Sequence, residues 1–348
     1  MENIIGSFVD RRTFYAKIYM KKYKGENVML DFLDKVEIIN EHNYAYLMQT
    51  EVEPYLNKKG REDFIFTADG RKLHYEAYDK MLSRGSVVLL HGFTESAEKL
   101  RETAYYFRKA GYGVYAPDME GHGKSHRTST KKEKVEIDSF DTYAGDLKLF
   151  IESVVKPETK NGRVYIYAHS LGCTVALLYM MKNPHTIERA VLSSPMICGN
   201  MGMPVAVAGN VAKLLCAFGG KGIPAPGRCV FDENQPYENS DATSKARFDY
   251  YHAKRRAEPL YQTSGPSFGW VKASLEARDK ILDGKLETKS LIFLPEEDRQ
   301  LLHSFTKAFA EKNDIKVKDV KNSKHEIFMS GDETLKWYFE EVLEFFAE

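Results

Sequence analysis

Cysteine is scarce: Cys173, Cys198, Cys216 and Cys229 are the only four in 348 residues, and no two of them share a CxxC or other metal-ligand spacing. This excludes a disulfide framework or a zinc site as the organising device and fits a reduced, cytoplasmic protein. An excess of charge of one sign is missing too. The chain has 50 Lys and Arg residues against 50 Asp and Glu, a formal charge of zero, so nothing global draws it to nucleic acid. No run of about 18 apolar residues occurs, and the opening Met1-Glu-Asn-Ile-Ile-Gly-Ser-Phe-Val-Asp10 has neither a basic region nor a sustained apolar stretch. Neither a membrane span nor an export signal is expected. Internal repeats and low-complexity tracts are absent as well. What is present is core-forming material: 43% hydrophobic and 29% charged residues suffice for one large domain with insertions or two smaller ones.

Residues 1–59 are rich in Tyr, Lys and Glu, with apolar residues at helical spacing as in Phe8, Tyr15, Ile18 and Tyr19, which predicts an N-terminal helical extension. From Asp63 to Tyr78 an alternating pattern broken at Asp69-Gly70 predicts an antiparallel hairpin. Short apolar runs at 86–91, 113–117, 163–169, 189–194, 290–294 and 315–320 then read as strands, with helical patterns at 96–110, 140–154, 171–181 and 333–346. Alternating buried strands and helices predict an α/β fold, a doubly wound and mostly parallel sheet covered on both faces. The alternation breaks between Met196 and Gly284. Gly/Pro clusters and amphipathic helices there, such as 205–218, make an insertion too long for a loop. The expected division is an extension over 1–59, a core over 60–195 and 285–348, and a cap over 196–284.

The segment Arg163-Val-Tyr-Ile-Tyr-Ala-His-Ser-Leu-Gly172 is where chemistry concentrates, because a buried strand running through Ala-His-Ser-Leu-Gly into a helix has the form of a nucleophile elbow. A sharp turn there lifts the Ser170 hydroxyl clear of the sheet, and the amides opening the next helix face the place where an oxyanion forms. A serine that only caps a helix is the competing reading of this stretch by itself. Four further pieces decide between them. His91-Gly92-Phe93 ends a strand, so that the Phe93 and Leu171 amides together make an oxyanion hole. Asp118-Met-Glu-Gly-His-Gly-Lys-Ser125 reads mainly as a structural loop, since it lacks dinucleotide-fingerprint spacing, with a metal pair of Asp118 and His122 as the minor alternative. Pro295-Glu296-Glu297-Asp298 follows a strand and supplies the acid, with Asp298 favoured and Glu297 next. His325 follows the last strand and precedes the last helix, which makes it the base. The order Ser170, Asp298, His325 is the one such a sheet imposes. His169 either supports the elbow or meets substrate, Cys173 fills core, and the other histidines are expected at the surface or in packing.

These motifs resemble those of the α/β-hydrolase superfamily, in particular its monoacylglycerol lipase and lysophospholipase branch of serine aminopeptidase S33 type. The insertion segments Ser244-Lys-Ala-Arg-Phe-Asp-Tyr-Tyr251 and Ser264-Gly-Pro-Ser-Phe-Gly-Trp-Val271 resemble the cap of lysophospholipase L2-like proteins. Departures stand at Cys173, where the family often has glycine, and at Glu120, where it often has a basic residue. The resemblance implies a carboxylic ester hydrolase with a Ser-His-Asp triad, an acyl-enzyme and no cofactor or metal, acting on a lysophospholipid or a monoacylglycerol. A small-acyl esterase or peptidase is the alternative on the same fold, and a non-catalytic binding protein the alternative in another class.

The apolar content of the insertion, including Met201, Met203, Val207, Val211, Leu214, Phe218 and Trp270, exceeds what a thin cap can hide from water. The expected consequences are an acyl-binding cavity, with Trp270 among its substrate-contacting residues, and transient contact of the cap with a membrane surface. Lys254, Arg255 and Arg256 either meet a phosphate head group or form a solvated face.

Overall fold

The computed structural model describes residues 37–78, 84–226 and 230–348. Its main strands are Gly60–Phe66 (β1), Lys72–Tyr78 (β2), Ser86–Leu90 (β3), Gly113–Pro117 (β4), Val164–His169 (β5), Arg189–Ser193 (β6), Ser290–Pro295 (β7) and Lys316–Val320 (β8). They form one 8-stranded sheet in the order β1-β2-β4-β3-β5-β6-β7-β8. The β1–β2 hairpin and the β2–β4 pair are antiparallel; every pairing from β4 to β8 is parallel.

The main helices are Arg101–Lys109 (α1), Phe140–Phe150 (α2), Leu171–Lys182 (α3), Val205–Ala217 (α4), Lys245–Ala257 (α5), Phe268–Asp283 (α6), His303–Lys312 (α7) and Asp332–Ala347 (α8). Successive side chains of a strand point to opposite faces, so each central strand feeds two cores. Val88, Leu90, Ile166, Ala168, Ile292 and Leu294 join a cluster with α2, α3 and α6. Val87, Leu89, Tyr165, Tyr167, Leu291 and Phe293 join another with α1 and α8. Strands that are apolar on both faces demand this double cover, which is the doubly wound arrangement expected from the sequence.

Strand order reverses direction between β3 and β5, since β4 lies on the far side of β3. The carboxyl ends of β3 and β5 therefore border a crevice at the topological switch point, the place where open α/β sheets take their ligands. Leu90 pairs with Ala168 across these strands, which sets His91-Gly92 beside His169-Ser170.

Part of the expected N-terminal extension is an integral flank of the core. The consecutive helical turns Tyr44–Leu47, Met48–Val52 and Glu53–Lys59 bury Tyr44, Met48, Val52 and Leu56 in the α1/α8 cluster, and the Ile39 amide donates to Tyr106 Oη at 2.9 Å. Phe8, Tyr15, Ile18 and Tyr19 lie outside the described residues. Between β6 and β7 the chain leaves the sheet, and its excursion is braced on two sides. Ala273, Ala277 and Ile281 of α6 join the α2/α3 cluster, so this part of the expected cap is shared with the core. On the other side Arg247 of α5, fully buried, donates to Glu102 at 2.9 Å, Asp332 at 3.1 Å and the Ile39 carbonyl at 2.7 Å. No helix among the described residues is long and apolar enough to cross a membrane.

Candidate active site

β5 hands over to α3 at a single residue. Ser170 has φ +50° and ψ −114°, a sparsely populated conformation for a residue with a side chain. The surrounding chain enforces it: the Ser170 amide donates to the Ser193 carbonyl at 3.0 Å, and its own carbonyl accepts from Cys173 and Met196 amides at 3.0 and 3.1 Å. Gly172 is required for close approach, because a Cβ there would stand 2.5 Å from the Leu90 carbonyl oxygen and push α3 off β3. Ala168 is fully buried among core residues. Cys173 is buried, its thiol donates to the Ala168 carbonyl at 3.2 Å, and burial pushes its pKa up, so it fills core beneath the elbow.

Three loops bring Ser170, His325 and Asp298 together. His325 Nε2 lies 2.9 Å from Ser170 Oγ, and its Nδ1 lies 2.9 Å from Asp298 Oδ2. With the ring proton on Nδ1, donated to the carboxylate, Nε2 is left to accept from the serine hydroxyl. The backbone is pinned as well: Ser194 Oγ donates to the His325 carbonyl at 2.7 Å. Burial alone would lower the His325 pKa, but the Asp298 carboxylate hydrogen-bonded to it raises it. Burial would likewise raise the Asp298 pKa, and hydrogen bonds from His303 and His325 hold it well below the ordinary carboxylate range instead. Its other oxygen accepts from the Gln300 and Leu301 amides at 2.8 and 3.1 Å. The neighbouring acids are placed elsewhere. Glu296 accepts from the Asn322 amide at 2.7 Å, and Glu297, the second candidate, is exposed.

His303 was expected only at the surface or in packing, yet its Nε2 lies 3.0 Å from Asp298 Oδ2, the oxygen that also faces His325. Nothing in its sequence neighbourhood marks it, because the contact depends on how the loop after β7 folds back. A second group was also missed. Lys99 is buried between Glu95, 2.9 Å away, and Glu326, 2.5 Å away, while Glu95 Oε2 accepts the Gly92 amide at 2.6 Å. The Glu95-to-Lys99 spacing hints at a helical ion pair, but its link to Gly92 and to the residue after His325 is tertiary. This group fixes the loop that carries Phe93. Asp118 accepts from His74 Nδ1 at 2.8 Å and from the Ala97 and Lys124 amides at 2.7 and 2.9 Å, which fits a structural loop.

Ser170 and His325 open into a cavity of about 710 Å³ roofed by the insertion. His169 and Trp270, both expected to contact substrate, line it, as does Phe93. The Trp270 ring stacks at a tilt on Phe93, 4.5 Å between centroids, so it also buttresses the loop behind the Phe93 amide. His169 is buried with its ring 4.9 Å from that of His325; burial first, then the charge of His325, hold its pKa well below the usual value. The Phe93 amide donates to no acceptor among the described residues, and the Leu171 amide, first in its helix, has no carbonyl a turn earlier to bond.

The chain is similar to proteins of known kind. A probable lysophospholipase L2 from Haemophilus influenzae is 27% identical over 255 residues, covering 72% of this chain and 79% of that protein. A monoacylglycerol lipase from Mycolicibacterium smegmatis is 31% identical over 178 residues, 51% of this chain and 56% of the relative. Among solved structures, a soluble variant of monoglyceride lipase from Saccharomyces cerevisiae superposes with a TM-score of 0.67 at 19% identity, over 82% of this chain and 94% of that one. That likeness is one of fold. The model of the family described as serine aminopeptidase, S33, matches residues 82–332, from the threshold of β3 to the start of α8. With strand order, elbow and family match in agreement, the chain belongs to the serine aminopeptidase S33 family of the α/β-hydrolase fold.

Proposed function

We propose that the protein hydrolyses carboxylic esters of single-chain acyl lipids, through an acyl-enzyme formed on Ser170. Ester hydrolysis is what its lysophospholipase and monoacylglycerol lipase relatives are named for. The observation that carries the finer reading is the pair of 2.9 Å contacts linking Ser170 to His325 and His325 to Asp298 at the floor of a large cavity. His325 takes the hydroxyl proton as Ser170 attacks the ester carbonyl, and the Phe93 and Leu171 amides hold the oxyanion. The imidazolium, steadied by Asp298, returns its proton to the leaving alcohol. Water then cleaves the acyl-serine by the same path. Labelling with a fluorophosphonate probe and mapping the modified residue tests this directly: the label falls on Ser170, and a label elsewhere overturns the assignment.

The raised pKa of His325 fixes the sign of a pH effect. Only the neutral ring accepts the serine proton, so kcat/KM falls as pH drops through the His325 pKa. That acid limb lies above the ordinary histidine value of about 6.5. A profile flat down to pH 4 removes histidine as the base.

Acyl-chain length is the second test. Met196, Met203, Ala208, Val271 and Leu275 give the cavity an apolar arm. Each buried methylene contributes about 0.8 kcal/mol, roughly fourfold in kcat/KM at full burial, so aryl esters improve from acetyl to octanoyl. Filling the arm with Ser274→Trp flattens that rise. If acetyl esters are the best substrates of the parent enzyme, a small-acyl esterase takes the place of the lipid reading.

The outer face of α4 supports contact with a lipid surface. Val207, Val211, Leu214 and Phe218, spaced for one helical face, are 50, 42, 61 and 84% exposed. Ala208 and Ala212 face inward, and Lys213 is the only charge on the helix. An apolar stripe turned to solvent beside the cavity mouth suits a surface from which a lipid is drawn. Co-sedimentation with phosphatidylcholine vesicles is expected for the parent protein and lost in Leu214→Glu/Phe218→Glu; equal sedimentation of both excludes this face.

A further inference from the structure

The fold separates the three consecutive cations near the end of α5. Lys254 Nζ is bound by Glu53 and Glu98. Arg256 is exposed. Arg255 alone lines the cavity that holds Ser170. Its guanidinium is fixed along one edge: Nε donates to the Tyr261 carbonyl at 2.9 Å, Nη2 donates to the Thr263 carbonyl at 2.7 Å, and the group lies 4.6 Å from the centre of the Phe231 ring. These anchors are all neutral. Among the described residues no carboxylate stands within ion-pair distance of Arg255, and its Nη1 edge makes no hydrogen bond.

The other charges around the cavity are engaged by protein groups or exposed to solvent. Lys99 is matched by Glu95 and Glu326. Asp298 is matched by His303 and His325. Asp241 accepts from Gln300 Nε2 at 3.0 Å, and burial, then the Glu326 carboxylate, push its pKa up toward the uncharged form. Asp232 is exposed and accepts the Asn234 amide at 3.0 Å. Arg299 also lines the cavity but is exposed to solvent. Arg255 is thus a cation with a fixed orientation, half-buried in the wall, whose counter-charge is not supplied by any of the described residues. A guanidinium with one edge anchored and the other open is suited to phosphate oxygens, and charge-assisted hydrogen bonds are about twice as strong as neutral ones.

We infer that Arg255 is the residue by which this cavity recognises an anionic head group, the phosphodiester of a lysophospholipid, in preference to the neutral glycerol of a monoacylglycerol. The inference rests on Ser170 being the ester nucleophile. It places the acyl chain in the methionine- and valine-lined arm and the phosphate against the α5 wall, with the scissile ester between them over Ser170. The polar part of the cavity then selects substrate by charge, while the apolar arm selects by length.

The test compares kcat/KM for 1-palmitoyl lysophosphatidylcholine and 1-palmitoylglycerol, which share an acyl chain and differ in the head group. The parent enzyme favours the phospholipid. In Arg255→Met, which keeps an unbranched stem over Phe231, the ratio of the two kcat/KM values falls about ten- to a hundredfold, mostly through KM. Arg255→Lys, which keeps the charge but not the fork, retains part of it. A measurement on the parent protein alone guards against misfolding of the variants: sn-glycerol 3-phosphate competitively inhibits aryl-ester hydrolysis, and glycerol at the same concentration does not. If the parent cleaves no aryl ester, the hydrolase reading itself fails. If it cleaves aryl esters but the ratio is unchanged in Arg255→Met, or glycerol 3-phosphate inhibits no better than glycerol, the role of Arg255 is overturned and the hydrolase reading stands.

Discussion

Ser170→Ala is expected to lower aryl-ester hydrolysis by about 10⁴-fold or more while the protein melts close to the parent temperature. The size of the kinetic effect follows from the triad acting as a unit: without Oγ there is no nucleophile, and the proton acceptor His325 Nε2, 2.9 Å away in the parent, has nothing to activate. On the proposed mechanism, residual turnover then comes only from binding and the Phe93 and Leu171 amides. The small structural effect follows from what holds the turn. The backbone bonds to Ser193, Cys173 and Met196 remain, and the positive φ at 170 is as tolerable for alanine as for serine. Only one atom on the cavity floor is removed. Kinetics, fluorophosphonate labelling and a melting curve on the same preparation separate the two effects. A variant that melts like the parent and still turns over at a tenth of its rate would falsify the assignment of Ser170 as nucleophile.

Asp298→Asn is the second large effect, a loss on the order of 10⁴-fold in kcat with the fold retained. The carboxylate oxygens have different partners, which decides how an amide would sit. Oδ1 accepts from the Gln300 and Leu301 amides, so the asparagine oxygen takes that place and its NH₂ takes the place of Oδ2. A donor then faces His325 Nδ1, and the ring must carry its proton on Nε2, toward Ser170, where it cannot accept one. His303 faces the same atom at 3.0 Å and must likewise turn an unprotonated Nε2 toward the new NH₂. By contrast Glu296→Gln and Glu297→Gln leave activity within a few-fold of the parent, since Glu296 bonds the Asn322 amide and Glu297 is exposed. Comparing the three single variants on one ester settles the acid. Full activity in Asp298→Asn moves the role to another residue.

The sequence by itself determined the sheet and which polar residues stand at its strand ends. Short apolar runs bounded by turn residues, such as Val87-Val-Leu-Leu90 and Leu291-Ile-Phe-Leu294, read as strands buried on both faces, and helices between them imply parallel order. Strand ends are short-range features too, so a serine, an acid and a histidine each placed after a strand were legible in order. What the sequence left open was whatever depends on two loops meeting. Of three adjacent acids, chain pattern favoured Asp298, but the fold presents its Oδ2 to His325 because Oδ1 is tied to the two amides that follow it. His303, invisible in the pattern, reaches the same carboxylate because the loop after β7 curls back upon itself. The triplet Lys254-Arg255-Arg256 reads as one block of charge. On a helix, adjacent residues point about 100° apart, so the fold commits the first to Glu53 and Glu98, the last to water and only Arg255 to the cavity wall. Periodicity tells which face of an element is buried, but only packing against distant segments tells what that face meets.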